Sequence, residues 1–300
     1  MFELKHGHEV NHGLIEAFEK LGYGIYRLLN DINILVEFDP SYQDDVLNLF
    51  ACKPDHADLL SKRNLLARNA EIAEVLPDET ATGNDWLQKM QSFPYIRKCE
   101  TDWLANLAEV PENYLKALSA GIQMHDATLP AATRVFLLNK ASALIEDMLK
   151  QAVGAHYSVW LLKLHLMHIQ NQRRGSASLC GQLMEAFANA TTPSWPFIPP
   201  CEMFFSRTPQ NTVGNWLFEI LQEFIEYRQS FSSYFNADPL KTLAAIIQNN
   251  NHDLAIERRF VLASKRAGKP ALPAQGSPLM NPEQSPNSSI WRQILGTVQK

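Results

Sequence analysis

The sequence lacks several features that mark whole classes of protein. Only 4 of its 300 residues are cysteines, and they lie far apart, which favours reduced thiols in a cytoplasm over a disulfide framework. No apolar run reaches the roughly 18 residues that a membrane-spanning helix needs. The opening residues, MFELKHGHE, contain no apolar segment typical of a signal peptide. We therefore expect a cytoplasmic protein without a membrane span.

A surplus of basic residues is also missing. The chain carries 27 Lys and Arg against 32 Asp and Glu, so its formal net charge is -5. Nucleic acid is therefore not an expected partner, because binding to a phosphate backbone depends on clustered positive charge. Hydrophobic residues make up 46% of the chain, which is an ordinary globular composition and sufficient for a large core.

The first 53 residues have an α/β pattern. Residues 1–6 predict a short strand, and apolar residues at helical spacing from Val10 to Leu21 predict a helix that Gly22 ends. Two β-rich runs follow at 24–29 and 32–38. Their two-residue link, Asn30-Asp31, indicates a hairpin. A further apolar run follows at 47–52.

The rest of the chain is predicted to be mainly helical. Residues 55–68 and 133–153 have helical spacing, and residues 157–172 are apolar nearly all round, which is typical of a central buried helix. Residues 191–209 hold five prolines among four aromatic residues and therefore predict a packed loop. We predict three regions: an α/β element at 1–53, a helical domain at 54–266, and a disordered tail at 267–300 with a possible terminal helical turn.

Histidine clusters are the most evident candidates for a metal site. His6, His8 and His12 lie near the N-terminus, but nearby ligands are too few, so a polar loop is the preferred interpretation. His165 and His168 lie three residues apart on the apolar helix. Neither is preceded by the glutamate of a Glu-x-x-His di-iron motif. We therefore interpret them as histidines of the core or of a groove, and we predict no metal ligand.

Cysteine chemistry is not expected either. Cys180 lies on a helical segment between Leu179 and Gly181. A small buried residue is a better interpretation of this position than a nucleophile, because reactive thiols lie in exposed, electropositive surroundings.

Several short motifs near the N-terminus resemble a single family when taken together. The motifs are FELKHG at 2–7, LIEAF at 14–18, LGY at 21–23, IYRL at 25–28, ILVEFD at 34–39 and NLFACK at 48–53. In their order they are similar to the last third of FkbM-type S-adenosylmethionine-dependent methyltransferases. In that family a late strand is followed by a helix, a leucine-glycine-tyrosine turn, a strand with an aromatic-arginine-leucine core and a closing antiparallel strand. The last motif resembles a segment found in relatives with a helical extension.

This resemblance implies a mainly α-helical chain whose small N-terminal element corresponds to the end of a Rossmann-like methyltransferase sheet. In the family, S-adenosylmethionine binds at a glycine-rich turn after the first strand, and none of those contacts can be assigned to a residue here. The resemblance thus implies no catalytic and no cofactor-binding residue in this chain. S-adenosylmethionine becomes a cofactor only if a missing N-terminal half is supplied.

Glu3, Lys5 and His6 are the only candidates for a remnant of the substrate side of an active site. They lie at the end of the first predicted strand, and ligands of doubly wound folds bind outside the carboxyl ends of the strands. The alternative, that all three are simply solvated, stays open.

Two functions follow as hypotheses, and whether the chain is an enzyme stays open. The first is the C-terminal fragment of an FkbM-like methyltransferase, inactive alone, whose partner is the missing methyltransferase half. The second is a non-enzymatic helical interaction or scaffold protein with a protein partner. The strand at residues 1–6 is expected at the edge of a small sheet, where its unpaired backbone groups favour a partner.

Overall fold

The structure is a computed structural model. It describes residues 1–3, 5–6, 9–42, 48–76, 86–151, 156–188, 192–209, 212–229, 240–248, 254–284 and 288–296. The architecture of these residues is mainly α-helical with a small α/β element, as predicted. The chain divides into two compact units, Met1–Thr208 and Pro209–Lys300.

The strands of the first unit form two sheets. They are β1 (Phe2–Glu3), β2 (Lys5–His6), β3 (Glu9–Val10), β4 (Gly24–Leu29), β5 (Ile34–Glu37), β6 (Asn48–Cys52) and β7 (Leu66–Ala67). The larger sheet has the order β1-β6-β4-β5-β7, while β2 pairs with β3. Neighbours in the larger sheet are antiparallel except β5 and β7, which are parallel. The edge position expected for the first strand is confirmed for β1, but the single strand predicted over residues 1–6 is divided between β1 and β2.

The predicted hairpin is confirmed, with a longer turn. Strands β4 and β5 pair antiparallel, with Leu29 opposite Ile34. The turn between them has four residues, and Asp31 and Asn33 have φ angles of 58° and 55°. Asn and Asp adopt this left-handed conformation more readily than most residues. Ile32, which was predicted as a strand residue, lies in the turn and is buried.

The helices of the first unit are α1 (His12–Lys20), α2 (Pro54–Lys62), α3 (Asn69–Ala73), α4 (Trp86–Met90), α5 (Glu100–Ala105), α6 (Glu112–Gln123), α7 (Ala131–Leu149), α8 (Tyr157–Ile169) and α9 (Arg173–Phe187). Short 3-10 helices span Pro40–Tyr42, Pro94–Lys98, Leu107–Glu109 and Glu202–Phe204. Along the chain, α6 packs on α7, α7 on α8, and α8 on α9. The predicted helix over 55–68 ends early, because Leu66 and Ala67 pair with β5 as β7.

The two faces of the larger sheet are covered by different helices. Ile15 and Phe18 of α1 pack against Ile25 and Leu49. Tyr26, on the opposite face, belongs to a cluster with Ala57 of α2. This separation follows from the alternation of side chains along a strand. The helix α8, in contrast, is buried among other helices, and the prediction of a central buried helix at this position is confirmed.

Residues 192–205 form an irregular loop, which we call the proline-aromatic loop. Its aromatic side chains are buried, which confirms the predicted packed loop: Trp195, Phe197, Phe204 and Phe205. Side chains of the helical region hold its backbone. Tyr95 Oη donates to the Phe197 carbonyl at 2.9 Å, and Ser158 Oγ donates to the Trp195 carbonyl at 3.0 Å. These bonds satisfy buried carbonyls that have no ladder partner.

The second unit contains α10 (Val213–Gln229), α11 (Leu240–Gln248), α12 (Leu254–Arg266) and α13 (Ser288–Gly296), with 3-10 helices at Pro278–Met280 and Pro282–Gln284. Inside it, Arg259 of α12 forms a buried ion pair with Glu226 of α10. Where a disordered tail was predicted, Leu279 and Trp291 are fully buried in one cluster. The predicted boundaries after residues 53 and 266 stay predictions, because compact packing does not show which segments fold independently.

Candidate functional site

A group of ionisable side chains around the two buried histidines of α8 brings together four distant parts of the first unit. We call Asp31, His125, His165, His168 and Glu202 the histidine cluster. Asp31 lies in the β4–β5 turn, His125 directly follows α6, His165 and His168 lie on α8, and Glu202 lies in the proline-aromatic loop. The spacing of three along α8 places both of its histidines on one helix face.

His125 and His165 face each other through their Nε2 atoms, which are 2.9 Å apart. The ring of Phe205 packs on both imidazoles, with centroid distances of 5.2 Å to His125 and 5.7 Å to His165. At this separation one Nε2 donates a hydrogen bond and the other accepts it, so the pair shares a single proton. The contact therefore requires that at least one of the two rings is neutral.

Asp31 connects the turn to both α8 and the loop. Its Oδ1 lies 3.1 Å from Nε2 of His168, and its Oδ2 accepts the backbone N–H of Glu202 at 2.9 Å. The hydrogen bond and the charge of His168 lower the pKa of Asp31 well below its usual range, against the effect of burial. Asp31 is therefore a carboxylate whose two oxygens hold two other segments.

Burial dominates the protonation of the facing pair. It lowers the pKa of His125 to about 4, although the negative charge of Asp31 opposes the shift. It also lowers the pKa of His165 well below the usual value, and the neighbouring His125 lowers it further. In contrast, burial raises the pKa of Glu202. Burial therefore favours the neutral forms of both rings, which is compatible with the 2.9 Å contact.

Backbone contacts position α8 against the turn. Arg27 Nη1 donates to the Gln170 carbonyl at 3.0 Å, and Asn30 Nδ2 donates to the His168 carbonyl at 2.9 Å. The backbone N–H of Asn30 also donates to Ile169 at 2.9 Å. The last carbonyls of a helix have no partner within the helix, so these donors from the hairpin take their place. These hydrogen bonds fix the position of the C-terminal end of α8 along the hairpin, so that His168 lies opposite Asp31.

Arg134 of α7 supports the other side of the cluster. Its Nε donates to the Met124 carbonyl at 2.7 Å, and its Nη2 donates to the Ile32 carbonyl at 3.1 Å. The guanidinium thus joins the end of α6 to the β4–β5 turn. The positive charge of Arg134 also disfavours protonation of His125.

The chemistry open to this cluster is limited by its burial. His165 and His168 have exposed fractions of 0% and 1%, so a substrate does not reach them in this conformation. Among the described residues, no group of three His, Cys, Asp or Glu side chains is arranged to hold a metal ion. The interpretation of His165 and His168 as core histidines is confirmed by their burial. The arrangement is suited to joining segments in a manner that depends on protonation.

Two clefts lie near the sheet. One of about 500 Å³ lies between α1 and the β4–β5 hairpin, with His12, Glu16 and Glu37 among its lining residues. The other, of about 260 Å³, includes Arg27 and Asp39. The residues that line these two clefts do not include those of the histidine cluster.

The predicted substrate-side residues lie on two different strand pairs. Glu3 is opposite Asn48 in the β1–β6 pair, whereas Lys5 and His6 are opposite Val10 and Glu9 in the β2–β3 pair. Glu3 is exposed. Their role as a substrate-side remnant stays a prediction.

The only G-x-G spacing in the sequence, Gly22-Tyr23-Gly24, does not form a cofactor turn. It lies after α1 and before β4, whereas a dinucleotide turn follows a strand and opens a helix. Gly22 has a φ of 76° and ends α1 in the left-handed conformation that glycine favours. No backbone N–H groups of a helix N-terminus are presented there to a cofactor.

Two of the buried cysteines, Cys99 and Cys180, have thiols that are unsuited to nucleophilic chemistry. Cys180 is fully buried, as predicted, and burial raises the pKa of its thiol. Burial also raises the pKa of Cys99 to about 12. Both thiols are therefore protonated at neutral pH and are poor nucleophiles.

Comparison with known protein families, curated proteins and solved structures finds no match to this chain. Within the part of the chain that the structure describes, no helix has the length and apolar character needed to cross a membrane.

The sequence did not indicate the partners of the two α8 histidines. The Asn30-Asp31 link predicts only a turn, and no sequence pattern singles out His125. The pairs His168–Asp31 and His165–His125 are separated by 137 and 40 residues along the chain. The one available signal was that a buried ionisable side chain needs a polar partner.

Proposed function

We propose that residues 1–53 are the C-terminal part of an FkbM-like methyltransferase sheet, and that the chain from residue 54 is its helical extension. The observation that carries the proposal is the incomplete cover of α1. This helix lies on one face of the larger sheet, yet none of its residues, all of which the structure describes, is buried. A second observation also supports the proposal: β1 lies at the edge of the same sheet.

Both features suit an element that another part of a Rossmann-like domain completes. An edge strand offers backbone N–H and C=O groups to a further strand. A half-covered amphipathic helix offers an apolar surface to a neighbouring layer. The expected partner is therefore the cofactor-binding half of such a methyltransferase.

The chain by itself is proposed to lack methyltransferase activity. Its sequence offers no glycine-rich turn between a strand and a following helix, and Gly22-Tyr23-Gly24 lies in the opposite order. The transferred methyl group belongs to S-adenosylmethionine, so a chain that does not bind this cofactor cannot carry out the reaction.

Calorimetric titration with S-adenosylmethionine tests this proposal. We expect no binding heat with the chain alone, and binding once the proposed cofactor-binding half of an FkbM-type methyltransferase is fused ahead of residue 1. Micromolar binding by the chain alone would overturn the claim of inactivity. No binding by the fused protein would overturn the claim of a methyltransferase origin.

A non-enzymatic helical interaction module is a second candidate. It is favoured by the successive packing of α6, α7, α8 and α9, because stacked consecutive helices are typical of scaffold proteins. This candidate predicts that neither the chain nor the fused protein binds S-adenosylmethionine, so the same titration separates the two.

A further inference from the structure

We propose that the facing pair His125 and His165 is a pH-sensitive contact that holds residues 199–205 of the proline-aromatic loop on α6 and α8, and that acidification releases this half of the loop while the helical core stays folded. The proposal does not depend on the proposed methyltransferase origin.

The geometry of the contact supports the proposal first. The two Nε2 atoms are 2.9 Å apart and share one proton. When both rings are protonated, each Nε2 carries an N–H group, and the hydrogen bond is replaced by repulsion between two cations. Phe205 is the loop residue that packs on both rings, so separation of the rings removes two of its aromatic contacts and leaves the one with Phe93 at 4.7 Å.

The two halves of the loop are held by different groups. Residues 195–197 are bound through their carbonyls by Tyr95, Tyr114 and Ser158. Residues 199–205 contact the histidine cluster, through Phe205 and through the N–H of Glu202, which Asp31 accepts, and Phe93 also packs on Phe205. Only the second half therefore responds directly to protonation of the pair.

Four charged or titratable groups face the pair from the surrounding elements. Asp31 in the turn favours protonation of both rings, while Arg134 on α7 opposes protonation of His125, and His168 on α8 opposes that of both. The fourth, Glu202 in the loop, has an oxygen 3.9 Å from Nδ1 of His125. Desolvation has the largest effect on both histidines and keeps the rings neutral in the closed state.

The direction of the pH effect follows from this. A histidine whose pKa is lowered in the closed state binds more protons after opening, so the closed state loses stability as pH falls below about 6.5, the usual value for an exposed imidazole. For His125 the loss continues down to its closed-state pKa of about 4. Asp31, whose pKa is low, stays ionised throughout this window. The raised pKa of Glu202 has the opposite effect, because the closed state gains stability as pH falls and this carboxyl becomes protonated.

Hydrogen exchange measured by NMR on the full chain at pH 7.5 and 5.5 tests the proposal. The amides to follow are those of Glu202, Phe204 and Phe205, each of which donates a hydrogen bond in this half of the loop. After correction for intrinsic exchange, we expect their opening to increase about tenfold for each histidine that gains a proton on opening. Buried amides of α8 should not show this increase.

Matched variants assign the effect to the pair. In His125→Gln or His165→Gln one titrating group is removed. The factor by which opening of the three amides increases between pH 7.5 and 5.5 should therefore be about tenfold smaller than in the native chain. His156→Gln is the control. His156 stacks on Trp195 in the other half of the loop, with a centroid distance of 3.8 Å, so its replacement should leave the pH dependence at these amides unchanged.

Each other result counts against the proposal. It is overturned if the three amides show no pH-dependent opening, if the buried amides of α8 open by the same factor, or if both pair variants keep the full dependence. If neither pair variant folds, a titration of the imidazole nitrogens in the native chain decides. Protonation of both His125 and His165 above pH 6 in the folded protein would then rule out the proposed contact.

Discussion

Helices α8 and α1 have opposite relations to the core. Nine of the 13 residues of α8 are buried, including His165 and His168. None of the 9 residues of α1 is buried, although it is more clearly amphipathic along its length. Amphipathic patterning therefore shows which side of a helix faces inward, but the number of neighbouring elements decides how deeply the helix is buried.

The difference has a direct structural origin. Helix α8 packs on α6, α7 and α9, whereas α1 packs mainly on β4. Residues of α8 therefore have neighbours on nearly every side, and those of α1 on one side only. Equivalent changes in the two helices should have very different effects on the free energy of unfolding.

The largest expected effect is that of Leu162→Ala in α8. Leu162 is fully buried, and its Cδ1 lies close to Gly121 of α6. The substitution removes apolar contacts and leaves a cavity, so we expect a loss of about 2–5 kcal/mol in the free energy of unfolding. Urea denaturation followed by circular dichroism measures it.

The matched control is Leu14→Ala in α1, where the leucine is only partly buried. It should cost clearly less than Leu162→Ala. Equal losses in the two variants would contradict the contrast between the helices.

An intermediate effect is expected for Tyr114→Phe. The Tyr114 hydroxyl is buried and contacts the carbonyls of Pro196 at 2.5 Å and Ser158 at 3.2 Å. Its removal leaves buried carbonyl groups without this donor, which costs about 1–3 kcal/mol. Thermal and urea unfolding should both show the loss.

Tyr23→Phe is the control, because Tyr23 is only partly buried beside α1. We expect a change within about 0.5 kcal/mol, as for other surface substitutions. A loss in this variant as large as that in Tyr114→Phe would contradict the assignment of the Tyr114 effect to its buried hydrogen bond.

A smaller effect than that of Tyr114→Phe is expected for Ile15→Ala in α1. Ile15 is partly buried against the sheet, so we expect a loss of about 1 kcal/mol in the isolated chain. The proposed methyltransferase half would cover more of α1. The loss in the free energy of unfolding caused by Ile15→Ala should then be larger in the fused protein than in the isolated chain. Equal losses in the two proteins would argue against burial of α1 by the methyltransferase half.

Local patterns predicted much of the fold. The all-round apolar run predicted α8, and the two β-rich runs predicted the hairpin. The prolines and aromatics between 191 and 209 predicted a packed loop. Each of these depends on residues within about 20 positions of one another. The strand β7 was missed because its two residues, Leu66 and Ala67, are defined by their pairing with β5 rather than by their own sequence.

The histidine cluster shows the limit of such prediction. The sequence by itself determined that His165 and His168 lie on an apolar helix and therefore in the core. Only the tertiary structure decided that Asp31, His125 and Glu202 become their neighbours. A buried imidazole requires a polar partner, but nothing in its local sequence says which distant segment supplies it. That choice depends on how the hairpin turn, the end of α6 and the proline-aromatic loop pack around α8.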